Sequence, residues 1–319
     1  DLIYYVLEFV TLGIASNKLL LMSSSIWYCG NEVYEQLSLL KKLIIQNFVI
    51  SLNTLDNIII YGNTGIETRQ KIKVDYEINQ FDVYKLAEEI KSVINKKRKR
   101  GYIFAGVPGT GKSSILLKLE GLLTEFPILY ISKSAINYSG DMNAAFDLII
   151  TLSPCIVIFE DLDCFGFSNK NTRLFNEFLQ EIDNVYENFH SVIIATINNA
   201  SEVHHSLINR PGRFDQVFMI SPPQSLTEVF KVMDNKFNKT TGEHIYMENI
   251  NKNLLQSIID NKFTQADICE IIEKILINDK EFNNESLKYS ISELMASKEA
   301  IKNCSFNKEV LIEYDDYYD

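Results

Sequence analysis

Residues 81–222 alternate between strand-like and helix-like runs, and this alternation leaves few folds open to the chain. The strand-like runs are continuous apolar stretches: YIFAG, ILYIS, CIVIFE and SVIIATI. Helix-like runs such as KSSILLKLEGLL and TRLFNEFLQEI separate them. Apolar strands alternating with helices predict a parallel sheet covered by helices on both faces. The predicted fold class is therefore α/β.

The remaining sequence predicts three further parts. Residues 1–80 contain a helix-like run at 31–46 and an alternating strand-like run, KIKVDYEI, and they predict a small mixed α/β domain that serves as an accessory or substrate domain. Residues 223–302 lack strand-like runs and predict a helical lid, which follows the break at Ser221-Pro222-Pro223. Residues 303–319 form an acidic tail.

Composition excludes some functions and leaves others open. The net charge of −11 argues against wrapping nucleic acid by bulk charge, although the basic run KKRKR (96–100) keeps nucleic acid as a less favoured partner. The five cysteines are scattered without a C-x-x-C pair, which favours a reducing intracellular compartment. The protein would be either cytoplasmic or attached to a membrane on the side that faces this compartment. The sequence contains no H-E-x-x-H motif, so a zinc protease is not supported.

Apolar runs in the sequence are shorter than a membrane-spanning helix requires. The nearest run, LIYYVLEFVTLGIA (2–15), contains Glu8 and is interpreted as a buried helix or strand. Because the chain starts at Asp1 rather than Met, a membrane anchor upstream of residue 1 stays open.

The segment GVPGTGKS (106–113) fits the phosphate-binding pattern G-x-x-x-x-G-K-[ST] between a strand and a helix. Glycines let successive N–H groups surround an anion, and the following helix N-terminus adds further donors. Lys112 would contact the β- and γ-phosphates of ATP, and the Ser113 hydroxyl would bind Mg²⁺. The candidate nucleotide-binding residues here are Gly106, Pro108, Gly109, Thr110, Gly111, Lys112, Ser113 and Ser114.

A second motif, CIVIFEDLDCF (155–165), places acidic residues directly after a buried strand. Ligands bind at the carboxyl ends of strands in open α/β sheets. Glu160 is therefore a candidate Mg²⁺ ligand together with Ser113, and Asp161 a candidate to orient or activate the attacking water.

With these motifs, residues 81–300 resemble the AAA+ ATPases, in particular the classical AAA clade. The segment VIIATINNA resembles the sensor-1 strand of that family, which implies that Asn198 positions the water near the γ-phosphate. The segment LINRPGRFD (207–215) resembles the second region of homology, which implies that Arg210 and Arg213 are arginine fingers. FTQADI resembles the start of the lid helix, which implies that Ala266 lies near the adenosine.

The segments KRGYIFAGVPGTGKSS and EDLDCF are most similar to the mitochondrial AAA translocase of the Rieske protein and its plant relatives, which also write Glu-Asp for the usual Asp-Glu. In this order Glu160 is the metal-side acid. Asp161 is the water-side acid and is one methylene shorter than the usual glutamate. The segment NYSGD (137–141) falls where AAA unfoldases carry a pore loop, so Tyr138 is either a residue that grips polypeptide or an ordinary loop residue.

The resemblance implies a Mg²⁺-dependent ATPase that works as a homo-oligomer, most naturally a hexameric ring. Its expected work is to remodel, translocate or disassemble a protein, and residues 1–80 would select the substrate or an adaptor. Two alternatives stay open. One is a nucleic-acid loader or packaging factor that uses residues 96–100, and the other is a scaffold that binds ATP with little turnover.

Overall fold

The structure is a computed structural model that describes residues 4–15, 18–29, 55–62, 65–72, 81–136, 139–165, 172–188, 190–199, 205–208, 213–278 and 281–303. Several predictions fall outside these residues. They are the helix at 31–46, most of the strand KIKVDYEI, the roles of Tyr138 and Arg210, and nearly all of the tail.

The described strands form one nine-stranded sheet in the order β1-β2-β4-β3-β6-β7-β8-β5-β9. From β3 onward, six strands run parallel and β4 runs antiparallel, which confirms the predicted α/β fold. The strands are β1 (Tyr4–Ala15), β2 (Lys18–Cys29), β3 (Asn57–Gly62), β4 (Gly65–Gln70), β5 (Arg100–Ala105), β6 (Ile128–Ile131), β7 (Ile156–Phe159), β8 (Val192–Ile197) and β9 (Gln216–Met219).

Helices cover both faces of the parallel part of the sheet, as the continuous apolar strands require. Tyr102 and Phe104 of β5 face one cluster, while Ile103 and Ala105 face the other, because successive strand residues point to opposite faces. The first cluster packs under α1 (Val83–Asn95) and α2 (Lys112–Leu122), and the second under α3 (Ser139–Leu152) and α4 (Thr172–Asn188). A short helix, α5 (His205–Ile208), follows β8.

The strands β3 and β4 belong to the segment that was predicted as an accessory domain, and they extend the core sheet. β3 pairs in parallel with β6, and one compact unit spans residues 1–107 and 112–220. The role of residues 1–80 in substrate binding stays a prediction.

An ion pair links β4 to the helix that follows the phosphate loop. Arg69 donates from both terminal nitrogens to the Glu120 carboxylate, at 2.7 and 3.0 Å, and Glu120 is completely buried in α2. The Tyr130 hydroxyl also donates to Glu120, at 2.5 Å, and burial followed by the nearby carboxylate raises the pKa of Tyr130. The charge of Glu120 is thus compensated by Arg69, which lies on a strand before residue 80.

The second compact unit consists of residues 108–111 and 221–319, and its described helices have a core of their own. These helices are α6 (Leu226–Thr241), α7 (Lys252–Asp260), α8 (Gln265–Ile277) and α9 (Asn284–Asn303). Ser225 and Asn251 cap the first two helices, and Thr264 forms a capping box with Asp267 at the third. The predicted C-terminal helices are therefore present. Over the described part of the chain, no helix combines the length and apolarity needed to cross a membrane.

Candidate functional site

The polar residues of the candidate site follow three neighbouring strands of the sheet. β8 lies between β7 and β5, and all three run parallel. Because their carboxyl ends meet at one edge, Ser113 after β5, the acids after β7 and Asn198 after β8 come together there.

Two glycines of the phosphate loop have backbone conformations that other residues rarely adopt. Gly109 has a φ of 83° and Gly111 a φ of 96°. The start of the loop is tied to β8, since the N–H of Gly106 donates to the Ile197 carbonyl at 3.1 Å. The glycine spacing noted in the sequence therefore corresponds to a loop conformation that needs glycine.

Lys112 begins α2 and is only 6% exposed. Its ammonium donates to the carbonyls of Gly106 and Val107, at 2.5 and 3.2 Å. Burial lowers the pKa of Lys112, while the carboxylates of Asp161, Asp163 and Glu160 act in the opposite direction. A bound phosphate would add negative charge near this buried cation and favour its charged form.

Ser113 and Glu160, the two predicted metal ligands, contact each other directly. The Ser113 hydroxyl donates to Glu160 Oε1 at 2.6 Å. A hydroxyl and a carboxylate oxygen are the hard ligands that Mg²⁺ takes beside the oxygens of a phosphate. The residues present therefore fit a Mg²⁺ ion that is shared between the protein and a nucleotide.

Asp161 is held in an uncommon conformation by β8. Its φ of 55° and ψ of 54° lie in the left-handed region, which is unusual for a residue other than glycine. Its N–H donates to the hydroxyl of the buried Thr196 at 2.8 Å. Its carboxylate accepts from the side-chain amide of Asn198, also at 2.8 Å. The two residues predicted to handle the attacking water are thus joined, and the position of the carboxylate is fixed from both sides.

Sequence reasoning missed two residues that hold this arrangement. Asp163 accepts from the N–H groups of Asn198 and Asn199 through one carboxylate oxygen, at 3.0 and 3.2 Å. Thr196 follows the register pair Phe159–Ala195 of β7 and β8 by one residue. Thr196 could have been found from this register, because neighbouring positions on paired parallel strands lie side by side.

The arginine segment, defined as residues 205–215, is described at 205–208 and 213–215, so Arg210 lies outside the described residues. The guanidinium of Arg213 forms a bidentate pair with Asp183 of α4, both contacts at 3.0 Å. It also donates to the Ser206 carbonyl at 2.6 Å. Arg213 is thus bound to its own chain, and its predicted role as a finger stays untested.

Within the second compact unit, Ala266 contacts the tip of the phosphate loop. Its N–H donates to the Gly109 carbonyl at 3.0 Å. Its predicted position beside adenosine stays a prediction.

Residues 102–222 match the model of the ATPase family associated with various cellular activities (AAA). Among similar proteins, an ATP-dependent zinc metalloprotease FtsH from Slackia heliotrinireducens is 23% identical over 74% of this chain and 30% of its own length. AAA-ATPase At3g28570, mitochondrial, from Arabidopsis thaliana is 23% identical over 62% of this chain and 46% of its own length. Peroxisomal ATPase PEX6 from Saccharomyces cerevisiae is 22% identical over 57% of this chain and 18% of its own length.

The matched part spans less than half the length of each of these relatives. The narrower resemblance to the Rieske-protein translocase group stays a prediction. The family match covers Ser113, both acids and Asn198, which lie at one edge of the sheet. This match supports the resemblance of residues 102–222 to the classical AAA proteins.

Proposed function

We propose that this protein hydrolyses ATP with Mg²⁺ in an oligomeric ring and uses the energy to remodel, translocate or disassemble a protein. The observation that carries the proposal is the meeting of two residue pairs at one edge of the sheet. Ser113 contacts Glu160, and Asn198 contacts Asp161. The first pair suits a metal ion, and the second suits an attacking water.

Each residue of the phosphate loop has a proposed task in binding. The loop from Gly106 to Gly111 surrounds the phosphates with N–H groups, and Lys112 contacts the β- and γ-phosphates. Pro108, Thr110 and Ser114 complete this cradle. Ser113 and Glu160 would hold Mg²⁺, which, when bound, would neutralise charge on the phosphates.

Asp161 and Asn198 act on the attacking water. The Asp161 carboxylate accepts the proton that the water loses, and the amide of Asn198 keeps that carboxylate and the water in line. Since Asp161 is shorter than glutamate, the water must lie closer to the backbone of this strand end. Asp163 and Thr196 fix the two residues in place through the hydrogen bonds given above.

The positive charge that completes the site comes from a neighbouring subunit. The match to the AAA family supports a ring, with Arg210 as the residue that reaches the adjacent γ-phosphate. Two of the similar proteins are named as an ATP-dependent protease and a peroxisomal ATPase, and the first name supports a protein substrate. Three cysteines in the described part are free thiols, which supports a reducing intracellular compartment.

The test is ATP hydrolysis per subunit as the protein concentration is raised, for wild type beside Arg210→Ala. The proposal expects the wild-type rate per subunit to climb with concentration. It expects the variant to stay flat while binding a fluorescent ATP analogue normally. Lys112→Ala is the control that should lose binding itself. A rate that is independent of concentration and of Arg210 would contradict the proposal, and ATP binding without turnover at any concentration would favour a scaffold.

A further inference from the structure

Resting on the proposed function, we infer that Arg213 is a positioning residue of its own chain and not a second finger. Its ion pair with Asp183 holds the arginine segment against α4, so that Arg210 alone reaches the neighbouring nucleotide. The ring site would then receive one arginine from each neighbour.

The guanidinium of Arg213 is bound within its own chain at each of its three nitrogens. Nε and Nη2 donate to the two oxygens of Asp183, and Nη1 donates to the Ser206 carbonyl. The side chain is 8% exposed, against 25% for Asp183. A finger must present its donors to a phosphate on another subunit, so Arg213 would first have to leave this buried position and its bonds to Asp183.

The backbone of Arg213 is also fixed. A Cβ atom at Gly101 would lie 1.9 Å from the Arg213 carbonyl oxygen, so β5 and the arginine segment approach each other as closely as only glycine permits. Next to it, the Asp215 carboxylate accepts from the Gly101 N–H at 3.0 Å, and the Asp215 N–H donates to the Gly101 carbonyl at 2.9 Å. The main chain at Arg213 therefore cannot move outward without disturbing β5.

The described residues on the two sides of Arg210 are bound to each other as well. The Phe214 N–H donates to the Leu207 carbonyl at 3.3 Å, and the Ser206 carbonyl accepts from Arg213, so α5 is bound to Arg213 and Phe214. Breaking the pair with Asp183 would release these residues and misplace Arg210, although Arg213 itself touches no nucleotide.

The experiment compares four variants that all keep Arg210. Arg213→Gln and Asp183→Asn should each lower kcat by about 100-fold, the loss that a misplaced catalytic group brings. They should leave the ATP dissociation constant close to wild type at a temperature at which each variant is folded, because neither residue contacts the nucleotide. The charge-exchanged chain carrying Arg213→Asp with Asp183→Arg should be at least about tenfold more active than a chain that carries either exchange alone, because it restores the ion pair although not the bond to Ser206. An equal mixture of chains that carry only one of these two exchanges should not recover.

Arg173→Gln is the matched control, because Arg173 also lies on α4, pairs with Glu177 at 3.0 Å and has a side chain that is 86% exposed. Its kcat should stay within about twofold of wild type, as for an exposed pair. In the charge-exchanged chain, Arg210→Ala should still abolish turnover.

Two results would overturn the inference. One is that Asp183→Asn leaves kcat unchanged while Arg213→Gln abolishes it, since Arg213 would then act without Asp183. The other is a folded charge-exchanged chain no more active than a chain that carries either exchange alone, which would show that a guanidinium is needed at position 213 itself. If instead Arg210→Ala is fully active in the wild-type background, the proposed function fails rather than this inference alone.

Discussion

The acids at the end of β7 and the arginine segment are proposed to serve one reaction but are built differently. Glu160 and Asp161 face partners within their own chain, Ser113 and Asn198, so this half of the proposed site forms in a single subunit. In the arginine segment, the guanidinium of Arg213 donates to Asp183 of the same chain, and completion of a neighbour's site is proposed for Arg210. A motif match alone does not separate an arginine that reaches outward from one that holds the segment in place.

Asp161→Asn should produce the largest change. Turnover should fall by about 10²–10⁴-fold, because an amide cannot accept the proton of the attacking water. The loss should be the same at every protein concentration, since this half of the site belongs to one chain. Single-turnover hydrolysis and ATP binding would be measured beside Asp147→Asn, an exposed aspartate on α3. Unchanged hydrolysis in the Asp161 variant would remove the water-side role from this residue.

Arg69→Ala should destabilise the fold, by about 3–5 kcal/mol, because the completely buried Glu120 loses its cation. Urea unfolding would measure the loss, and the double change Arg69→Met with Glu120→Leu should recover most of it. Arg69, like Arg213, forms a bidentate pair within its own chain, so this variant sharpens the comparison. In the folded fraction of the variant, the rate of ATP hydrolysis per subunit should depend on protein concentration as it does in wild type. A stable variant with lost turnover would place Arg69 in the site instead.

Ser113→Ala should raise the Mg²⁺ concentration needed for half-maximal hydrolysis by at least about tenfold, since one protein oxygen near the metal is lost. Hydrolysis would be titrated with Mg²⁺ at constant ATP. Ser292→Ala, an exposed serine on α9, is the control. An unchanged Mg²⁺ requirement would mean that the contact between Ser113 and Glu160 does not mark the metal site.

The smallest effect is expected for Arg173→Ala. The turnover per subunit should change by less than about twofold, because an exposed pair at i,i+4 contributes little. The same concentration series used for wild type would measure it. A large loss of turnover would indicate that Arg173 also acts between subunits. The contribution of a neighbouring subunit would then not come from the arginine segment alone.

The acids could be placed from the sequence and the ion pairs could not, for a physical reason. Apolar runs identify the parallel strands, and parallel strands bring their ends to one edge, so Glu160 and Asn198 could be expected to meet. The pair of Arg213 and Asp183 depends on how α4 is rotated over the sheet, and the two residues lie 30 positions apart. The pair of Arg69 and Glu120 depends on β4 joining the sheet, which no local pattern of residues indicates.

The most direct test of the account mixes two chains that are inactive for different reasons, Lys112→Ala and Arg210→Ala. Tagged chains would first establish that both enter the same oligomer. The account predicts that an equal mixture regains about a quarter of wild-type turnover, because half of the sites keep Lys112 and half of those face an intact Arg210. A mixture of co-assembled chains that stays inactive would show that the two residues act within one chain, and would contradict the shared site.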